Sequence, residues 1–157
     1  QDPADYIVLP AAALRTKPIT ARSINAVARY DVQIFGAERK SVLKSLQSMA
    51  PELGFVAMDG KAIIGFCLGR AGENFTQIGP VVADSPTVAA ALLYQALAQC
   101  RGQDVIIDSL DRQAAFNGVL AELGFQVQRP FIRMCKGKLK HPGVPQMQFA
   151  IAGPEVG

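Results

Sequence analysis

The chain has 157 residues, half of them apolar, and a net charge of +3, which is enough for one domain with one substantial core but not for a second full domain. No apolar run approaches the roughly 20 residues that cross a bilayer, and no signal-peptide pattern opens the sequence, so we expect a cytoplasmic protein without membrane contact. A single histidine and three widely spaced cysteines exclude a multi-histidine centre and predict no metal site.

The first third of the sequence predicts a strand followed by two helices. Residues 6–9 are β-prone, and the stretch after them reads as a link, so we expect 1–18 to be an N-terminal strand and connector of a domain spanning 19–157. An apolar face predicts a first helix that ends at Gly36. A second apolar stripe predicts a helix over 38–49.

The middle of the sequence predicts a hairpin and a strand–helix unit. Two β-prone runs, 53–58 and 62–68, meet at Asp59-Gly60, a dipeptide suited to a tight antiparallel turn. Residues 75–83 read as a further strand. Ser85-Pro86 supplies the cap and first-turn proline of a helix over 87–99.

The last third adds a buried strand, a helix and two final strands. Residues 105–110 are nearly all apolar, and a helix over 112–123 stops at Gly124. Residues 125–134 and 147–152 read as the last strands. The element order predicts an α/β (α+β) fold with a twisted mixed sheet of about seven strands flanked by about four helices.

This order resembles the GNAT superfamily of acyl-CoA-dependent N-acetyltransferases over nearly the whole chain. The run I-G-P-V-V-A-D-S-P-T-V-A-A-A-L-L from Ile78 and the A-E-L-G-F from Ala121 strengthen the resemblance. The run V-Q-I-F-G-A-E-R after Asp31, the I-R-M from Ile132 and the closing A-G-P-E are similar to the C-terminal half of tandem-GNAT proteins. That likeness implies an N-terminal sister GNAT domain as a partner.

The resemblance implies transfer of an acyl group from acetyl-CoA, or another acyl-CoA, to a small amine. In the family, the strand before the central helix splays from its neighbour and binds the pantetheine arm through its backbone. The pyrophosphate then lies on the amides at the start of that helix. Carried over to this sequence, the cofactor-binding residues are Ile78, Gly79, Val81, Val82, Ser85, Thr87, Val88 and Ala89.

Two family features are missing from this sequence. Aligned without gaps, Asp84, Thr87 and Ala89 occupy the Q/R, G and G/A positions of the family loop, and Ala89 alone fits. The tyrosine that protonates the leaving thiolate in many members is replaced by Leu120. These departures imply weak or degenerate transfer, and they support an alternative in which the domain is non-catalytic and binds a ligand or packs against a sister domain.

Asp108 is the candidate catalytic base, since it interrupts an apolar strand whose neighbours would raise its pKa. Glu73 is a second carboxylate near the central strand. The structural alternative is that Asp108 caps the next helix or pairs with Arg112.

A basic stretch without acidic residues begins at Arg129. Arg129 and Arg133 lie four apart on a predicted strand, so they would share one face and could hold a carboxylate or phosphate of the acceptor. A solvated strand edge explains them as well. A third reading is a regulatory domain that senses an anionic metabolite through 129–140. Without interleaved aromatic residues, the stretch does not indicate nucleic-acid binding.

Overall fold

The structure is a computed structural model and describes residues 14–132, 134, 137 and 141–156. In this part of the chain six strands and four α-helices form the expected α/β arrangement. The strands are β1 (Arg15–Pro18), β2 (Phe55–Asp59), β3 (Ala62–Ala71), β4 (Thr76–Ala83), β5 (Val105–Ile106) and β6 (Gln148–Ala150). The helices are α1 (Ile24–Phe35), α2 (Lys40–Met49), α3 (Pro86–Leu97) and α4 (Ala114–Glu122).

One mixed sheet contains all six strands. Its order is β1-β2-β3-β4-β5, and β6 also pairs with β4. The pairs from β1 to β4 are antiparallel, whereas β4 and β5 are parallel, with Thr76 opposite Val105 and Gln77 opposite Ile106. The predicted parallel strands on either side of α3 are therefore confirmed.

Local sequence signals explain where these elements begin and end. The hairpin of β2 and β3 turns at Gly60, whose φ of 56° suits the predicted Asp-Gly turn. The hydroxyl of Ser85 accepts a hydrogen bond from the amide of Val88 and caps α3, and Pro86 is the first residue of that helix. At the end of α1, Gly36 adopts the left-handed conformation.

Helices cover the sheet on both faces, so β4 is buried along its whole length. The main core lies between the sheet and the helices α3 and α4, and it includes Leu92, Phe116 and Phe149. A second core lies between the opposite face and the helices α1 and α2, and it includes Leu43 and Phe66. This layering places the carboxyl end of β4 beside the start of α3.

A buried ion pair joins the start of α2 to α1. The Arg39 guanidinium donates to both carboxylate oxygens of Asp31, at 2.8 and 2.9 Å, and its carbon lies 3.8 Å above the centre of the Phe35 ring. Asp31 is 1% exposed and Arg39 8% exposed. Because both charges are removed from water, the geometry of this pair strongly constrains how the two helices meet.

The stretch before residue 18 differs from the prediction of a connector. Residues 15–18 form β1, an edge strand that pairs antiparallel with β2. Pro18 stands at the end of this edge strand, where the missing N–H does not interrupt the ladder. The predicted strand over 6–9 lies outside the described residues.

The prediction of a strand over 125–134 is wrong for its described part. Residues 125–132 and 134 adopt no strand, because a β-prone pattern forms a strand only when a neighbouring strand pairs with it. Arg129 therefore does not lie on a strand, and Arg133 lies outside the described residues. The sheet accordingly has six strands in the described part of the chain, where about seven were expected.

Candidate functional site

Strands β4 and β5 pair at their first residues and then separate. Their register covers Thr76 opposite Val105 and Gln77 opposite Ile106, after which β4 continues for six more residues, to Ala83. We call the space between residues 78–83 and residues 107–110 the β4–β5 gap. It corresponds to the splayed strands that the GNAT resemblance implies.

The β4–β5 gap is filled by β6. Val81 pairs with Ala150 and Val82 with Gln148, on the edge of β4 that faces away from β3. On its other side the same segment bonds to the chain after β5. There the Leu110 amide donates to the Phe149 carbonyl, at 3.1 Å. The strand therefore lies between β4 and residues 108–110.

Side chains fix β6 in this position. The ring of Phe149 is 1% exposed and packs edge-on against Phe116, with ring centres 5.5 Å apart. The Gln148 amide donates to the Ile34 carbonyl at 2.8 Å, and the Gln113 amide donates to the Gln148 carbonyl at 2.7 Å. Helices α1 and α4 thus both hold the strand.

The predicted pantetheine-binding residues lie along this filled gap. Ile78, Gly79, Val81 and Val82 are all buried, and the last two are paired with β6. A Cβ added at Gly79 would collide with the Ile151 carbonyl, which shows how closely the segment after β6 approaches β4. In this arrangement the gap does not accommodate a pantetheine arm.

The start of α3, where the resemblance implies the pyrophosphate, has few free amides. The amide of Val88 already donates to the Ser85 hydroxyl, and the amide of Ala89 donates to the Ser85 carbonyl at 3.0 Å. Pro86 has no N–H, so fewer amides point outward than at an ordinary helix start. Thr87 is exposed there.

Asp84 precedes this helix start and is held by α1. The Tyr30 hydroxyl donates to the Asp84 carboxylate at 2.6 Å. Burial raises the pKa of Tyr30, and the hydrogen bond to Asp84 raises it further, so the phenol stays protonated. A negative charge therefore stands where the resemblance implies a pyrophosphate.

Asp108 lies just after β5, at the closed end of the gap, in a polar network. The Gln77 side-chain amide donates to the Asp108 carboxylate at 2.7 Å, and the Arg70 guanidinium donates to the side-chain oxygen Oε1 of Gln77 at 2.8 Å. Arg70 also forms a 2.5 Å salt bridge with Glu155. We call these four residues the Asp108 network. The Asp108 carboxylate therefore bonds to Gln77, and not to Arg112 or the start of α4.

The surroundings of Asp108 suit a proton acceptor. Burial raises the pKa of Asp108, and the negative charge of Glu155 raises it further, whereas the Gln77 hydrogen bond and the charges of Arg129 and Arg70 oppose the rise. The net effect is a pKa above the ordinary value, which moves a carboxylate toward neutral pH.

Sequence reasoning found Asp108 but missed its three partners. Gln77 and Arg70 are polar residues inside otherwise apolar strands. The same kind of local signal, a polar residue in an apolar run, identified Asp108. Glu155 follows the last strand and gave no local signal. Strand register brings these side chains together, and register was not available from the sequence.

A groove of about 1730 Å³ opens beside Asp108. It lies between β5, α4 and residues 125–132. Arg129 and Phe131 line its outer wall, with the guanidinium carbon 4.9 Å from the ring centre. The groove therefore combines a carboxylate, a cation and an aromatic surface.

Glu73, the second carboxylate noted from the sequence, is exposed in the bend before β4. Leu120 and Cys67 are buried and supply no proton donor or acceptor at neutral pH. Leu120, at the position of the family tyrosine, is 6% exposed and belongs to the main core. Burial raises the pKa of the Cys67 thiol to about 12, so it is not a thiolate at neutral pH. In the described part of the chain, no cluster of three or more histidine, cysteine or acidic residues is placed to bind a metal ion.

A sequence model described as an acetyltransferase (GNAT) domain matches residues 27–150, which is most of the chain. The chain belongs to the GNAT acetyltransferase family. The match begins in α1 and ends with β6, so it includes both strands of the gap, the start of α3 and Asp108.

One relative of this GNAT domain is holothin acyltransferase from Pseudoalteromonas sp. (strain SANK 73390). It is 32% identical over 140 residues, which cover 88% of this chain and 47% of that protein. The chain thus spans about half the length of this relative.

Solved structures share the fold of this GNAT domain at low sequence identity. Ard1 from Thermoplasma volcanium is 20% identical, with a TM-score of 0.60 over 75% of this chain and 86% of the other. Arabidopsis thaliana Naa50, in complex with the bisubstrate analogue CoA-Ac-MVNAL, is 11% identical, with a TM-score of 0.62 and the same two coverages. Across the residues described for this GNAT domain, every helix is too short or too polar to cross a membrane.

Proposed function

We propose that this chain transfers an acyl group from acetyl-CoA, or another acyl-CoA, to a small amine. It would do so as a degenerate GNAT domain, whose residues at the family's cofactor-loop and acid positions depart from the family pattern. Membership of the GNAT family and the likeness to an acyltransferase support the reaction class. The observation that carries the proposal is the position of Asp108, which Gln77 holds at the closed end of the β4–β5 gap and beside the groove.

Asp108 acts in this proposal as the base that removes a proton from the acceptor amine. Gln77 donates to one carboxylate oxygen, at 2.7 Å, and thereby orients the other. A raised pKa brings the carboxylate nearer to the working pH, where a general base is most effective. The acyl-CoA supplies the acyl group.

The acceptor occupies the groove beside Asp108. Arg129 and Phe131 line this groove. In the proposal Arg129 pairs with an acidic group of the acceptor, and Phe131 covers an apolar part of it. We propose Arg133, four residues after Arg129 along the chain, as a second residue that binds the acceptor. We place the reaction in the cytoplasm and expect a sister GNAT domain as a partner.

The cofactor would use the backbone of β4 and the start of α3. The strand residues are Ile78, Gly79, Val81 and Val82, and the pyrophosphate residues are Ser85, Thr87, Val88 and Ala89. Since β6 fills the gap in the arrangement described above, this site also requires a movement of β6.

A transfer assay tests the proposal. Purified chain, acetyl-CoA and a panel of small amines are followed by release of the free thiol, for the unmodified protein and for Asp108→Asn. We expect Asp108→Asn to lower kcat about 10²- to 10⁴-fold, because it removes the base. Asp59→Asn, at the exposed hairpin turn, is the matched control and should leave kcat unchanged. Equal rates for both variants would remove Asp108 from the mechanism.

A non-catalytic domain is the second candidate function. It is favoured by the buried Leu120 at the position of the acid and by β6 in the gap. A melting experiment with acetyl-CoA distinguishes the two functions, because a ligand at 100 times its Kd adds about 2.7 kcal/mol to stability. An unchanged melting temperature at millimolar acetyl-CoA, with no transfer to any amine, would favour the non-catalytic domain.

A further inference from the structure

Strand β6 and a pantetheine arm require the same edge of β4. Val81 and Val82 pair with β3 on one side and with β6 on the other, so they have no third edge for a ligand. We propose that β6 is a removable strand that keeps acyl-CoA out of the β4–β5 gap until β6 leaves the gap. This inference rests on the proposed function and adds a regulation of the same site.

The gap is one strand wide, which makes the competition direct. On one side β6 pairs with β4, and on the other the Ile151 amide donates to the Asp108 carbonyl at 3.0 Å. Neighbouring strands lie about 4.8 Å apart, so a strand that bonds to both walls leaves no width for a second extended chain. Either β6 or the cofactor occupies the gap.

The contacts of β6 are local enough to be released without unfolding the sheet. The strand has three residues, and its register with β4 consists of two pairs. Strand β4 keeps its long antiparallel pairing with β3 when β6 is removed. The largest single contact is the fully buried Phe149, so this side chain sets most of the balance between the closed and open arrangements.

Cofactor affinity then depends on how often the gap is open. The apparent Kd equals the intrinsic Kd divided by the open fraction, so any change that favours opening tightens apparent binding by the same factor. A change elsewhere in the core lowers stability without altering this fraction. The two effects can therefore be separated.

The first experiment weakens the anchor of β6. Phe149→Leu and Phe66→Leu remove the same atoms from fully buried sites, but Phe66 lies in β3, with β4 between it and β6, and packs in the second core on the opposite face of the sheet from Phe149. Acetyl-CoA binding is measured by calorimetry on the full chain. We expect weak binding to the unmodified protein and to Phe66→Leu, and binding at least tenfold tighter to Phe149→Leu.

The second experiment locks β6 in place and does not depend on weakening the core. Val82 and Gln148 are register partners, so Val82→Cys with Gln148→Cys places two thiols within reach of a disulfide. The native Cys67 is the partner of Val81, which faces the opposite side of the sheet. We expect no acetyl-CoA binding to the oxidised double variant and restored binding after reduction.

The outcomes separate this inference from the function it rests on. Equal acetyl-CoA binding by the oxidised and reduced double variant, or by Phe149→Leu and Phe66→Leu, would overturn the removable strand and leave the proposed function intact. No binding to any variant, including Phe149→Leu and the reduced double variant, would overturn the proposed function and the inference together.

Discussion

Asp108 connects the chemistry of the candidate site to the stability of the fold. Burial and the charge of Glu155 favour its protonated form in the folded protein, so its folded pKa lies above its unfolded pKa. Such a group stabilises the fold most fully below the unfolded pKa. The contribution is lost as the pH rises through the folded pKa, so at neutral pH the ionised carboxylate is unfavourable.

We expect Asp108→Asn to raise the melting temperature at pH 7. The amide removes the unfavourable charge, yet its oxygen still accepts the hydrogen bond from Gln77. The gain in melting temperature should vanish at low pH, where Asp108 is protonated and both proteins are uncharged at position 108. Melting curves between pH 3 and 8 check this, with Asp59→Asn as the control. A gain that is independent of pH would contradict the raised pKa.

The sequence identified Asp108 because a single carboxylate in an apolar run is visible locally. It could not identify Gln77 or Arg70 as partners, since each contact depends on the alignment of two strands. Glu155 reaches the network from beyond β6 and could not be placed without the tertiary fold. The candidate base was therefore predictable, and the groups that tune it were not.

At the scale of elements, α4 shows why a motif position is not a functional position by itself. Counting back from Gly124 assigns the family's acid position to Leu120. In the structure this side chain packs in the main core, between α3 and α4 and the sheet. Leu120 also borders the groove beside Asp108 with a small exposed part, so a hydroxyl at this place would lie at the edge of the core and be largely buried.

We expect Leu120→Tyr to destabilise the protein by about 1–3 kcal/mol, because a larger side chain overpacks a filled core. Leu120→Met preserves volume and should cost less than about 1.5 kcal/mol. Urea unfolding at equilibrium measures both. An increase in transfer by Leu120→Tyr without loss of stability would show that the side chain reaches the gap, contrary to its burial.

The elements with strong local signals were predicted, but local signals could not decide which of the last two predicted strands, 125–134 and 147–152, joins the sheet. The Asp59-Gly60 turn, the Ser85 cap and the Gly36 stop each depend on neighbouring residues. No local sequence feature distinguishes residues 148–150 from residues 125–132. The first stretch pairs with β4, whereas the second pairs with no strand among the described residues. Both stretches are β-prone, and which of them forms a strand depends on which one reaches the free edge of β4 in the tertiary fold.

At the scale of the whole molecule, a buried ion pair shares helix α1 with a contact that supports β6. The buried pair of Asp31 and Arg39 belongs to the helical layer of α1 and α2, next to the carbonyl of Ile34 that holds Gln148. Its loss would therefore disturb both that layer and the support of β6.

We expect Asp31→Asn to lower the free energy of unfolding by up to about 3–5 kcal/mol, because it removes the negative charge to which Arg39 makes two buried hydrogen bonds. Glu38→Gln, an exposed change one residue before Arg39, should cost less than about 0.5 kcal/mol. Chemical denaturation followed by circular dichroism measures the difference. Similar costs for the two variants would mean that the pair of Asp31 and Arg39 adds little to the stability of the fold.

The position of β6 has a consequence for how the protein is made. Ribosomes release a chain from its first residue onward, so β4 emerges long before the segment that pairs with Val81 and Val82. Until that segment appears, a nascent chain exposes an apolar strand edge near the middle of its sheet. Such edges attract other chains, and distant pairings form slowly. We therefore expect the newborn chain to depend on a chaperone most during synthesis of the stretch between α4 and β6.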